Sequence, residues 1–302
     1  MSLPFGAATV LGDRAVVLLA SEPTRQLGPV LAWTSARTVS SVDVLVDEPS
    51  DAAVVARRAG AFDLPVTVWS VDGRSLAAAE PAPLHVVAPP PEGVETLCEL
   101  IRAAGAEVIV EHGAVTAELL GLEVARVVDG PDGPQLDVGV GRHDREAFGV
   151  FHAGMPAPEA LAKVIEAVRH ERAAPDGTHP MRRLAAERRL RAALVADPAS
   201  IGAESLHPVE GTLPRSGVDD RSVAVALGTA QGETVIVGCV VGPDLDAVPS
   251  LADARRTHDP SAELILVLPA RDRLPAVERV RRAAASARHR AQRARRPSLT
   301  AR

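Results

Sequence analysis

Lysine is nearly missing from this 302-residue chain: Lys163 is the only one, and every other positive side chain is an arginine. Chemistry that needs a lysine amine, whether a Schiff base, a phosphate-cradling P-loop or a nuclease lysine, must use Lys163 or is excluded. Tyrosine is absent and aromatics make up 2% of the chain, which removes the stacking platforms that single-stranded nucleic acid sites use. The two cysteines, Cys98 and Cys239, sit inside apolar periodic segments and read as small buried hydrophobes, not as a disulfide or a redox pair. No apolar run reaches the roughly 18 residues of a membrane span. The N-terminal MSLPFGAATVLGDR lacks a basic stretch followed by an apolar one. The expectation is a cytoplasmic protein with no membrane partner. Also missing are GxGxxG, a Walker loop, GxSxG, HExxH and CxxC, so no common catalytic signature names an activity.

What is present is enough apolar material, 46% of the residues, to build ordinary cores, and enough length for two domains. The net charge of −6 is unevenly distributed. Residues 281–302 hold eight arginines and no acid, leaving 25 basic against 39 acidic side chains in residues 1–280, a net of −14. An acidic body with a basic tail, in which Arg293, Arg295 and Arg296 cluster, suggests contact with nucleic acid phosphates.

Patterning predicts an α/β protein. Phe5–Leu11 and Ala15–Ala20 read as a hairpin, Thr24–Arg37 as a helix, Val42–Val46 as a strand, Ser50–Ala59 as a helix and Val66–Val71 as a strand. Near the other end the same order returns: a hairpin over Val223–Gly228 and Thr234–Val241, a helix over Asp244–Arg256, the strand Leu264–Pro269 and the helix Leu274–Ala284. Pro29-x-Leu31-Ala32 in the first segment matches Pro249-x-Leu251-Ala252 in the second, which predicts two divergent copies of a β-hairpin–α–β–α unit. Between them lie a proline-rich connector, Pro81–Pro91, a helix over Glu95–Ala104, a strand over Glu107–Glu111 and a helical Val115–Leu120. A middle hairpin follows over residues 121–141, then helices over Glu146–Phe151, Pro158–Arg172 and Met181–Val195. The loop AAPDGT places the domain boundary near residue 175, giving an N-terminal domain of residues 1–175, a C-terminal domain of 176–285 and a basic disordered tail of 286–302.

The repeated layout, a hairpin running into a helix and then a strand and helix, resembles the restriction-endonuclease-like fold of the RecB-type and PD-(D/E)xK nucleases. In active members an acid stands on the first hairpin strand and E-x-K on the second, so that two carboxylates hold Mg²⁺ and the lysine orients the attacking water. At those positions this chain reads VLLASEP and IVGCVVGP, with neither the acid nor E-x-K. The resemblance therefore implies two inactive copies acting as scaffold. HDREAF, HPMRRLAAER and GPDLDAVPSLADAR also resemble segments of proteins from high-GC actinobacteria, a resemblance that implies no activity.

Catalytic residues are then expected in the middle hairpin, where GLEVARV faces QLDVGVGRHDREAF. A period of two puts Glu123 and Ala125 on one face of the first strand and Asp137, Gly139 and Gly141 on one face of the second: two acids over a floor of small residues. With His143, Asp144 and His152 following, this is a candidate Mg²⁺ or Mn²⁺ site, with Glu123, Asp137, His143 and Asp144 as ligands and Lys163 as the displaced lysine of a phosphodiesterase. The competing reading is a solvated face with Asp144 capping the next helix. Elsewhere, His112 reads as a loop hydrogen-bonder, His170, His179 and His207 as surface residues, and Asp244 and Asp246 as acids complementing a helix N-terminus. Arg182, Arg183, Arg188, Arg189 and Arg191 form the polar face of one helix, interrupted by Glu187, with Arg182, Arg183 and Arg189 as candidate phosphate contacts. Three functions follow in order: a non-catalytic binding protein contacting nucleic acid through that helix and the tail, the metal-dependent nuclease, and a small-ligand protein with a crevice at its strand ends. A homodimer is compatible with all three.

Overall fold

The computed structural model describes residues 2–141, 145, 155–173, 180–215, 217–282 and 289–293. The chain is mixed α/β, beginning with β1 (Ser2–Leu3), β2 (Gly6–Leu11), β3 (Arg14–Leu19), α1 (Leu27–Thr34), β4 (Ser41–Val46), α2 (Pro49–Ala59), β5 (Val66–Asp72) and β6 (Ser75–Ala78). It continues with α3 (Glu95–Ala103), β7 (Glu107–Glu111), β8 (Ala114–Leu119), β9 (Leu122–Gly130), β10 (Gly133–Val138), α4 (Ala157–Ala173) and α5 (Ala186–Ala196). The last elements are β11 (Ser205–Val209), β12 (Ala224–Ala230), β13 (Glu233–Cys239), α6 (Ala247–His258), β14 (Glu263–Leu268), α7 (Pro275–Arg282) and β15 (His289–Arg293). Among the described residues no helix is long and apolar enough to cross a membrane.

Two compact units form, one from Met1–Val86, Gly232–Gly238 and Gly242–Arg295, the other from Val87–Gln231 with Cys239–Val241. This differs from the expected linear division at residue 175, because the C-terminal helices pack on the N-terminal ones. In the first unit β1-β2-β3-β4-β5-β6 is one sheet, with β2 and β3 antiparallel, β3, β4 and β5 parallel, and β6 returning antiparallel at the edge. Parallel neighbours need crossovers, and α1 and α2 supply them. Val17, Leu19, Val42, Val44, Val46 and Val68 are buried in the sheet, as are Leu27, Val30, Leu31 and Val55 of the two helices. β13, β14 and β15 are neighbours in that order, β14 and β15 run parallel, and α6 and α7 link them. Residues 289–293, inside the segment expected to be a disordered tail, thus form a strand.

The helices of this unit meet around buried charge. Arg57 of α2 makes a two-pronged contact with Asp253 of α6, Nε to Oδ1 at 3.0 Å and Nη2 to Oδ2 at 2.8 Å. Arg58, fully buried, lies 3.0 Å from Asp246 and donates to the Thr24 carbonyl and the Ser250 hydroxyl. Asp246 also accepts from the Gly28 backbone N–H at 3.0 Å, so this acid ties α1 to α6 and does not simply complement a helix terminus as expected. Taking one partner out of such a pair strands a charge in a dry site. Asp253→Ala is expected to lower unfolding free energy by roughly 3–5 kcal/mol, read as a lower urea midpoint with little change in the slope.

The second unit is built on an antiparallel sheet in the order β10-β9-β8-β7. Its apolar face gathers Ala117, Leu119, Leu122, Val124, Ala125 and Val138 against Ile101 of α3 and Leu161, Ile165 and Val168 of α4. β11 and β12 pair antiparallel, and α5 packs on them. The expected helix over Val115–Leu120 is strand β8. Two tight turns on either side, His112-Gly113 and Leu120-Gly121, take positive φ at both positions and fold the chain into successive hairpins.

Candidate functional site

Facing residues of an antiparallel pair lie on one side of a sheet. The pairings Ile109 with Thr116, Thr116 with Arg126 and Arg126 with Asp137 therefore mark the face opposite the apolar one. In β9 the alternation then breaks. Ala117 pairs with Ala125 but Glu118 pairs with Glu123, so Val124 is an extra residue, a β-bulge. An unbroken period of two would put Glu123 beside Ala125; the bulge turns it over to join Glu118, Arg126 and Asp137. The expected meeting of Glu123 and Asp137 on one face occurs, but Ala125 is no floor beneath them: it is fully buried in the core on the other side.

Between the two carboxylates stands a guanidinium. Arg145 reaches Glu123 Oε1 from Nη1 at 2.8 Å and Asp137 Oδ2 from Nε at 3.1 Å, while Arg126 grips Glu123 with Nε at 3.0 Å and Nη2 at 2.9 Å. Burial of Glu123 would raise its pKa, but the hydrogen bond and charge of Arg126 and the charge of Arg145 outweigh it and hold the carboxyl below the usual range. Gly139 has the role expected of a small residue, with a different visitor. A Cβ there would stand 2.9 Å from the Arg145 backbone, and its φ of 143° suits only glycine, so what comes close is the chain's own arginine.

Lys163 is not part of this group. It is exposed, its amine lies 3.4 Å from Glu159 one turn earlier, and α4 covers the apolar face, across the sheet from both acids. This placement sets the residue expected as a displaced lysine apart from the two acids. His143, Asp144 and His152 lie outside the described residues, as do His179, Arg295 and Arg296.

Deeper on the charged face, α5 arginines turn inward. Arg188 pairs with Glu118; Arg191 pairs with Glu111 at 2.8 Å and Glu118 at 3.4 Å; and Arg215 lies 2.8 Å from the second Glu111 oxygen. Glu118, Arg188 and Arg191 are each under 5% exposed, so two of the five arginines expected on the polar face of this helix are interior. Gly121 makes the approach feasible, since a Cβ there would meet the Arg188 carbonyl at 2.4 Å. Burial pushes Glu111 up, but the charges of Arg191 and Arg215 pull it down further, to about 2. Burial lowers the Arg188 pKa against the opposing pull of Glu118, and its Nη2 has no partner among the described residues. Glu187, expected to interrupt the polar face, is itself buried, and burial raises its pKa.

The remaining arginines gather at the N-terminal end of α5. Arg172 is buried and donates to the carbonyls of Met181 at 3.1 Å, Leu120 at 2.5 Å and Leu184. Burial, then the charges of Arg189 and Arg188, lower its pKa to about 10. Half-buried Arg189 makes two long contacts of 3.4 Å, both to backbone carbonyls, of Arg182 and Arg172, and meets no carboxylate among the described residues. Burial and the Arg182 charge lower its pKa. Arg183 is exposed. Among the histidines, His112 sits in a turn at φ 51° with its backbone N–H donated to the Glu210 carboxylate, and His170 and His207 are exposed, as expected. Cys239 is buried, which pushes its thiol up to about 12; Cys98 is half-buried and free.

Sequence patterning missed the acid–arginine layer of Glu111, Glu118, Arg188, Arg191 and Arg215. Its only local signal is a pair of arginines three apart on a helix and glutamates in strands that are otherwise largely apolar. The Glu111 pKa is lowered from 4.5 to about 2. The stability it contributes is therefore complete above about pH 4.5 and lost as the pH falls through about 2, an effect on the order of 3 kcal/mol. Glu111→Gln is expected to flatten the dependence of the urea midpoint on pH between about 4.5 and about 2. No family model, curated protein or solved structure matches the chain.

Proposed function

We propose that this chain is a non-catalytic binding protein that contacts phosphate-bearing polymers through Arg182, Arg183 and Arg189, with Arg172 behind them. The observation that carries the reading is Arg189, a half-buried guanidinium set among other arginines and held, among the described residues, by two long carbonyl contacts. A cation kept beside like charges is stabilised by a phosphate arriving between them, and Arg offers two parallel donors to it. Exposed Arg183 adds an unobstructed contact. With aromatics at 2%, the partner is a duplex read through its backbone and not a stacked single strand. Arg293 at the end of β15, and Arg295 and Arg296 after it, add further phosphate contacts in the same reading.

The degenerate nuclease-like layout belongs to this proposal as well. In its favour, the order hairpin, helix, strand, helix, strand runs through β2 to β5 and again through β12 to β15. The metal-dependent alternative draws no support from Glu123 and Asp137, whose negative charge is already met by Arg145 and Arg126.

Fluorescence anisotropy with a labelled DNA duplex tests the reading. Saturable binding is expected at about 50 mM salt and weakens steeply as salt rises, each phosphate contact adding about 0.9 to the log–log slope. Arg183→Ser with Arg189→Ser should reduce that slope by roughly 1.8, and Arg295→Ser with Arg296→Ser should reduce it independently. No saturable binding by the intact chain at low salt removes the proposal.

A further inference from the structure

The first unit ends its sheet on an unguarded strand. β6 is the last strand of the order β1-β2-β3-β4-β5-β6, and all four of its residues, Ser75, Leu76, Ala77 and Ala78, are exposed. Edge strands are usually blunted by shortness, a lysine, a proline, a bulge or an inward-pointing charge, and the four-residue Ser-Leu-Ala-Ala has only the first of these. The pairing with β5 settles which backbone groups remain unused. Trp69 faces Ala78, Ser70 faces Ala77, Val71 faces Leu76 and Asp72 faces Ser75, and the Ala79 N–H donates to the Val68 carbonyl at 2.8 Å. Ser75, Ala77 and Ala79 therefore turn their N–H and C=O toward β5, and by alternation Leu76 and Ala78 turn theirs outward.

We infer that β6 pairs antiparallel with β6 of a second copy of this chain, about a two-fold axis at Ala77. In that register Leu76 faces Ala78 of the second copy, and the reverse, so both outward-facing residues on each strand form hydrogen-bonded pairs. Ala77 faces its own mate as a non-hydrogen-bonded pair, which the alternation requires. The same register sets Arg74 opposite Glu80 of the second copy, and Glu80 opposite its Arg74. Both are exposed. Shifting the axis to Leu76 or to Ala78 keeps the hydrogen-bond parity but loses both charge pairs. Leu76, 52% exposed, lies on the sheet face of its partner Val71, and pairing would cover it against Ala78 of the second copy. Two six-stranded sheets would become one continuous sheet through an isologous interface.

Sedimentation velocity of the full chain over a range of concentrations, joined to cysteine cross-linking, tests this. A reversible dimer is expected. Arg74→Glu and Glu80→Arg should each weaken it by about tenfold, since like charges then face one another twice, and the double exchange should restore it. Oxidised Ala77→Cys should give a covalent dimer, because the two mates sit at disulfide distance, while Ser75→Cys, facing Ala79 of the second copy, should stay at the background set by Cys98 and Cys239. A chain that remains monomeric at the highest concentration overturns the inference. So does a dimer indifferent to both charge reversals, or equal cross-linking at positions 75 and 77.

Discussion

Buried pairing of guanidinium with carboxylate is the interaction on which each unit of this protein depends. With a single lysine in the chain, and that one exposed, the positive charges buried among the described residues are arginines. Arginine suits an interior ion pair because its planar fork gives several donors at fixed angles, and it keeps its proton where an ammonium would lose it. In the first unit Arg57 and Arg58 hold α2 to α6 through Asp253 and Asp246. In the second, Arg188 and Arg191 join α5 to the sheet through Glu118 and Glu111. Desolvating these charges is costly, and the cost is met only while every partner is in place. Specific geometry is what such pairs enforce: an apolar helix can slide on an apolar sheet, whereas a forked salt bridge fits one position.

The same pairing decides what the charged face can do. Acids gathered on one side of a sheet suggest a metal when their number and spacing are read alone. Once Arg145 and Arg126 are counted, the group around Glu123 and Asp137 is a closed ionic network with the guanidinium in the central place. Functional interest then moves from the acids to Arg189, which lies where α5 begins beside Arg182 and Arg183, with its neighbour Arg172 committed to backbone carbonyls.

Segments with one clear period are legible in the sequence: β4, β5 and β7 as strands, α2, α3 and α4 as helices, and the proline-rich stretch as a connector. β8 is not, because Val115, Thr116, Ala117, Glu118 and Leu119 are all buried, which erases the two-fold alternation that marks a strand, and its glutamate is hidden by a partner far along the chain. The bulge at Val124 is equally unreadable. Strict alternation ties Glu123 to Ala125, and only the unread bulge carries it across to the face of Asp137, where it meets that acid. Arg188 and Arg191 read as surface because arginine usually is; their burial depends on Glu118 and Glu111, 70 and 80 residues away. Long-range charge pairing of this kind leaves no local pattern.

A double-mutant cycle on Arg188 and Glu118, followed by urea unfolding, tests the central claim most directly. Glu118→Leu should cost roughly 3–5 kcal/mol by stranding Arg188, Arg188→Met should cost less because Arg191 stays 3.4 Å from Glu118, and the double variant should lose far less than their sum. Losses that simply add, or single variants as stable as the parent, would contradict the account that a buried acid–arginine layer holds the second unit together.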